Sequence, residues 1–156
     1  MRVPVTVVDA QADNASPEAL VTTFESLLEE TDRGAFFGLL GIGRFSLSRK
    51  KSMLPVFTAL CTGLWRLALQ RAVPDGCEAA YARYLDSLWP KVKDADAYMV
   101  LVRDMAGHLP ERGDADFTPT AREVFRRAGR EPAQAELVGM ALFLRRLYDY
   151  FFNHLM

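Results

Sequence analysis

From Met53 to Trp65 the chain runs 13 residues without a charge, and the polar positions along it and just beyond fall every fourth residue: Thr58, Thr62, Arg66 and Gln70. A strand alternates with a period of two, so this spacing predicts a helix over about 52–72 with one narrow wet stripe and burial on nearly every other side. Val73-Pro74 ends it. A second stretch, over about 132–155, is apolar on most sides from Leu137 onward, and its polar edge holds Glu136, Arg145, Arg146, Asp149 and Asn153. Neither pattern suits a surface helix. One can be wrapped by its neighbours in a small bundle; the second needs a place in the same core or a second chain. A bilayer-spanning helix needs about 20 apolar residues, so the run at 53–65 is expected to be a core helix and not an integral membrane segment.

The punctuation around these runs divides the rest of the chain into further helices. Ser16-Pro17-Glu18 supplies an N-cap, a proline at the first helical position and an acid at the positive end of the dipole. Leu20, Phe24, Leu27, Leu28 and Thr31 then recur at helical spacing, with Gly34 as the expected stop. The apolar, glycine-bearing segment 34–47 reads as a short helix or packed loop that buries Phe36, Phe37, Leu39, Leu40 and Ile42. A basic turn at 46–52 follows. Asp75-Gly76-Cys77-Glu78 resembles a capping box ahead of a helix with Tyr81, Tyr84, Leu85 and Leu88 on one face. Asp94 or Asp96 caps another, with Tyr98, Leu101, Val102, Met105 and Leu109 inward. Thr118-Pro119 opens the next, Gly129 closes it, and Glu131-Pro132 opens the last. The chain is therefore expected to be an all-α, single-domain bundle of about six helices over 16–156. The segment 1–15, with Val3-Pro4-Val5-Thr6-Val7-Val8 at its head, is expected to be an extended arm or linker.

At 156 residues, half of them hydrophobic and a quarter charged, the chain suits one folded domain and not a disordered tail. A net charge of −1 argues against a generally basic nucleic-acid binder. Two cysteines, Cys61 and Cys77, are too few for a disulfide framework and read as reduced structural thiols. The first 15 residues carry no apolar signal core, so a cytoplasmic location is expected.

The charge is segregated. Residues 33–74 contain seven cations and no carboxylate, whereas Asp9 to Asp32 holds seven carboxylates and no Lys or Arg. Either the two blocks face each other or the basic one meets an anionic partner. Arg44, Arg49, Lys50 and Lys51, set around Ser46, Ser48 and Ser52 before a helix start, are the expected contact.

Motifs for chemistry are sparse. Asp104 and His108, four apart on one helix face, form the only acid–base pair, and His108 equally suits a helix C-terminus. The glycines at 34, 38, 41 and 43 lack the lysine of a phosphate loop. Glu25, Glu29 and Glu30 read as a solvated acidic face, and no metal or other cofactor is expected. Arg122, Arg126, Arg127 and Arg130 flank a helix–Gly129–helix turn, but the second helix becomes too apolar to read bases, so nucleic-acid binding is not expected. The leading expectation is a non-enzymatic interaction or regulatory protein. It would act as a homodimer or higher homo-oligomer through Tyr148, Phe151, Phe152 and Leu155, with the basic 33–51 segment contacting an anionic partner. The alternatives are a helical module or enzyme with an apolar ligand pocket, and a peripheral membrane protein.

Overall fold

A computed structural model describes residues 16–113 and 115–156. The arm expected over 1–15 lies outside the described residues. Those residues form seven α-helices and no strand: α1 (Pro17–Glu30), α2 (Arg33–Leu39), α3 (Leu47–Ala72), α4 (Cys77–Leu88), α5 (Ala95–Gly107), α6 (Thr118–Arg127) and α7 (Gln134–Leu155). The expected all-helical bundle is present, and the additional helix is α2.

Helix α3 is the centre of the fold. α7 and α5 make its principal contacts, α1 packs chiefly on α4, and α6 packs on α7. The near-continuous apolar surface of α3 explains its position, because Phe57, Ala59, Leu60, Cys61, Leu64, Ala68 and Leu69 are fully buried. By length and composition α3 could cross a membrane, but 67% of its most apolar stretch is buried within the fold. Aromatic rings join the layers. Phe24 of α1 stacks on Trp65 of α3 at 4.3 Å and meets Tyr84 and Phe151 edge-on at 5.0 and 5.4 Å. A second group sets Phe36 of α2 against Phe57 at 4.8 Å and Phe143 at 6.2 Å.

Several helix boundaries differ from the sequence expectation, each for a local reason. α1 stops at Glu30, before Gly34, because the Asp32 side chain accepts the Ala35 N–H at 2.9 Å and starts α2. α3 begins at Leu47, so the expected basic turn at 46–52 is its first turns. Pro55 therefore sits inside the helix, where its missing N–H leaves the exposed Lys51 carbonyl to water. Asp75 forms no capping box; Gly76 precedes α4, and Glu78 instead pairs with Arg66 at 3.0 Å. α6 is capped from Asp116, whose carboxylate accepts from the Thr118 N–H and hydroxyl at 2.9 and 2.6 Å. α7 begins at Gln134, beyond Glu131-Pro132, and Glu136 accepts the Ala133 N–H at 3.0 Å.

Gly129 does close α6. It takes a left-handed φ of 69°, its N–H bonds Arg126 O, and the Arg130 N–H reaches back to Phe125 O. This is the pairing that satisfies a helix's last carbonyls. Nothing lies within 4 Å of a Cβ placed there, so only the backbone conformation resists substitution. Gly129→Ala is expected to destabilise the fold by about 1–2 kcal/mol, the left-handed penalty of an L-residue, measured by urea denaturation. An unchanged midpoint would count against this cap.

Candidate functional site

The structure assembles one charged cluster where the C-terminal end of α5 meets α6. Asp104 and His108 come from α5 and its cap, and Glu123, Arg126 and Arg127 from α6. Glu123 is 6% exposed, one of few buried polar residues. Its carboxylate accepts from Arg126 Nε at 2.8 Å and pairs with Arg127 Nε at 3.1 Å. His108 Nε2 stands 3.7 Å from Glu123 Oε2, and Arg127 also forms an ion pair with Asp104. Thr120 Oγ1 donates to the His108 carbonyl, tying the two helices together beside the cluster.

The spacing set Asp104 and His108 on one face, and His108 is the C-cap of α5, the helix-end position that the sequence offered beside the acid–base reading. Asp104 is taken by Arg127, so it does not orient the imidazole as a carboxylate would orient a catalytic base. Ligand atoms of Asp104, His108 and Glu123 lie within 4.8 Å of one another, close enough for a divalent ion. Two guanidiniums already neutralise those carboxylates, and a cation would have to displace them. The cluster is an electrostatic strap between α5 and α6. Glu123 was missed because a lone glutamate between Arg122 and Val124 reads as a surface residue until α6 is docked.

The Arg126 hydrogen bond, then the nearby His108, holds Glu123 below the usual carboxylate range despite its burial. A carboxylate with a depressed folded pKa adds stability above its unfolded pKa and loses it as pH falls through the folded value. Asp116, bonded by Thr118, and Glu136, bonded by the Ala133 N–H, are lowered as well. Acidification below about pH 4.5 is therefore expected to loosen α6 and its junctions first. Hydrogen exchange should show amides of α6 losing protection before those of α3, and Glu123→Gln should blunt the effect.

Among the described residues, no ion pair joins the acidic block to the basic one. Glu18 meets Arg83 at 3.8 Å, Glu25 meets Lys91 at 3.7 Å, and Glu30 accepts from Tyr150 at 3.0 Å, all outside the basic block. Arg44, Arg49 and Lys51 are exposed and form no ion pair among the described residues. Lys50 is half-buried; it donates to the Arg44 carbonyl and lies 5.9 Å from the Phe37 ring centre. Among these cations stand two apolar side chains that the sequence reading did not single out, Phe45 at 89% exposure and Leu47 at 74%.

The expected oligomer surface needs correction. Tyr148 and Phe151 are 1% and 0% exposed, packed inside the chain's own core, and so do not face a second chain. Phe152 and Leu155 are half-buried. The exposed large apolar residues of α7 are Val138 and Leu142. Both cysteines are buried and unpaired, and burial pushes the Cys61 thiol well above its ordinary range.

Comparison with known protein families, with curated proteins and with solved structures found no match to this chain.

Proposed function

We propose that this protein is a non-enzymatic docking protein of the cytoplasm whose basic tip, at the α2–α3 junction, seats on an anionic membrane surface. One observation carries this reading: Phe45 and Leu47, two of the three most exposed large apolar residues among those described, stand among four cations. An isolated exposed apolar residue is ordinary. Two that project from the same basic turn combine the requirements of interfacial binding, an apolar group for the acyl boundary and cations for anionic headgroups. Each basic residue near such a surface contributes about 1 kcal/mol. The unpaired state of Arg44, Arg49 and Lys51 supports the same reading, because no internal partner must be surrendered. Two unpaired buried thiols suit a reducing compartment.

Co-sedimentation with phosphatidylserine-containing vesicles tests it. Binding at low ionic strength is expected, with weakening as salt rises and little binding to pure phosphatidylcholine. No binding to the anionic vesicles at low salt would remove the reading.

A second reading, self-association, is favoured by Val138 and Leu142, 45% and 51% exposed and four residues apart on α7. Native mass spectrometry at micromolar concentration would show a dimer that Leu142→Glu abolishes. A monomer at every concentration would end that reading.

A further inference from the structure

The exposed apolar surface at the start of α3 does not end at Leu47. Lys51, Leu54 and Pro55 are exposed as well, and Thr58 is half-buried. Leu54 keeps 40% of its surface open. Steps of four and three residues return to the same side of a helix, so Leu47, Lys51, Leu54 and Thr58 form one stripe, with Pro55 at its edge. The next positions, Cys61 and Thr62, are fully buried, where the bundle closes over the helix. The open stripe is therefore about 16 Å long. We infer that α3 lies along an anionic bilayer surface through this stripe, with Phe45, Leu47 and Leu54 at the acyl boundary and Lys51 among the headgroups. The inference rests on the membrane reading above and adds the pose: contact along a helix flank, not at a point.

Charge selects the occupant. Residues 33–74 contain no carboxylate, so neither α2 nor α3 brings a negative charge to this face. Lys51 stands within the stripe and has no ion-pair partner among the described residues. A lysine stem can cover apolar surface while its ammonium reaches outward to phosphate and water. The centre of a protein–protein contact would strip that water from the ammonium, and such centres are depleted of lysine. The exposed pair on α7 differs in this respect. Val138 and Leu142 share their helix face with Asp149, which pairs with Arg145 at 3.6 Å, so no excess of positive charge accompanies them.

Pro55 sets the depth. Without an N–H it leaves the Lys51 carbonyl lacking its usual helical donor. Hydrocarbon offers no replacement, so the backbone stays at the level of headgroups and water while side-chain ends enter the acyl boundary. The other side of the same turns is already committed: Met53, Val56, Phe57 and Leu60 are buried in the core. Contact through the stripe thus requires no opening of the bundle.

Three variants of the full chain, compared with the parent in co-sedimentation with phosphatidylserine-containing vesicles at low salt, test the pose. Leu54→Ser is expected to weaken binding about threefold to tenfold, as loss of a partly inserted leucine requires. Thr58 donates its hydroxyl to the Leu54 carbonyl at 3.1 Å, a local bond only. Thr58→Leu extends the apolar stripe and should tighten binding about threefold, a gain that misfolding does not imitate. Leu142→Ser, on α7, should bind as the parent does. A parent that binds, with Leu54→Ser and Thr58→Leu at parental affinity, would overturn the flank pose and leave the tip reading standing. Equal weakening by Leu54→Ser and Leu142→Ser would overturn it too. A parent dimer that Leu54→Ser dissolves in native mass spectrometry, with vesicle binding unchanged, would give the stripe to a second copy instead. A parent that binds no anionic vesicles removes the tip reading and this inference together.

Discussion

Phe24→Ala is expected to cost about 3–5 kcal/mol, the usual penalty for emptying a buried phenylalanine site. Phe24 is fully buried and touches the rings of Trp65, Tyr84 and Phe151, so it links α1 to α3, α4 and α7 at one point. Aromatic pairs of this kind add about 0.5–1.5 kcal/mol beyond area burial. The rest of α1 does little to compensate. Its buried positions are otherwise Leu20, Val21 and Leu27, and its ion pairs to Arg83 and Lys91 are long and solvent-exposed. Such pairs contribute at most about 1 kcal/mol each. Against a typical total of about 5–15 kcal/mol, the loss would lower the melting temperature by roughly 10–15 °C. Urea denaturation gives the free energy directly. A change below about 1 kcal/mol would mean that α1 is not held by this ring, and that the aromatic centre lies elsewhere.

The same ring shows what was legible in the sequence. Phe24 belongs to a helical stripe that starts at a serine cap, and Trp65 lies in a run too apolar for a surface. Period and punctuation therefore located both residues on buried faces. Their pairing was not legible, because it depends on which helices become neighbours. Boundaries failed where a side chain had a choice of partners. Glu78 could have closed a box with Asp75, but Arg66 from α3 drew it away. Asp32 started a new helix because its own carboxylate could reach Ala35, two residues before the glycine that looked like a stop. The charged cluster divides in the same way. Asp104 and His108 share a face by spacing alone, whereas Glu123, Arg126 and Arg127 join them only when α6 docks. The C-terminal aromatics misled for a related reason. Tyr148 and Phe151 look like interface residues by composition, and only the wrapping of α7 onto α3 shows their burial within one chain.

The basic tip is where sequence and structure together permit a decisive experiment, because its two contributions can be removed separately. Phe45→Ser with Leu47→Ser is expected to weaken binding to phosphatidylserine vesicles on the order of 100-fold, taking about 1.5 kcal/mol for each partly inserted side chain. The remaining binding should keep its full salt dependence, since all four cations persist. Arg49→Gln, Lys50→Gln and Lys51→Gln combined should cost a similar factor at low salt, at about 1 kcal/mol per cation, and should flatten the salt dependence. Both variants should retain the parent's denaturation midpoint to within about 0.5 kcal/mol, because the substituted residues lie mostly on the surface. The contrast separates possible occupants of the tip. An acidic protein partner would make the cation variant deleterious and leave the serine variant near parental, with no vesicle binding in either. A second copy of the chain at the tip would appear as a dimer that the serine variant dissolves. Loss of vesicle binding in both variants, with salt sensitivity surviving only in the first, is the pattern that a bilayer surface requires.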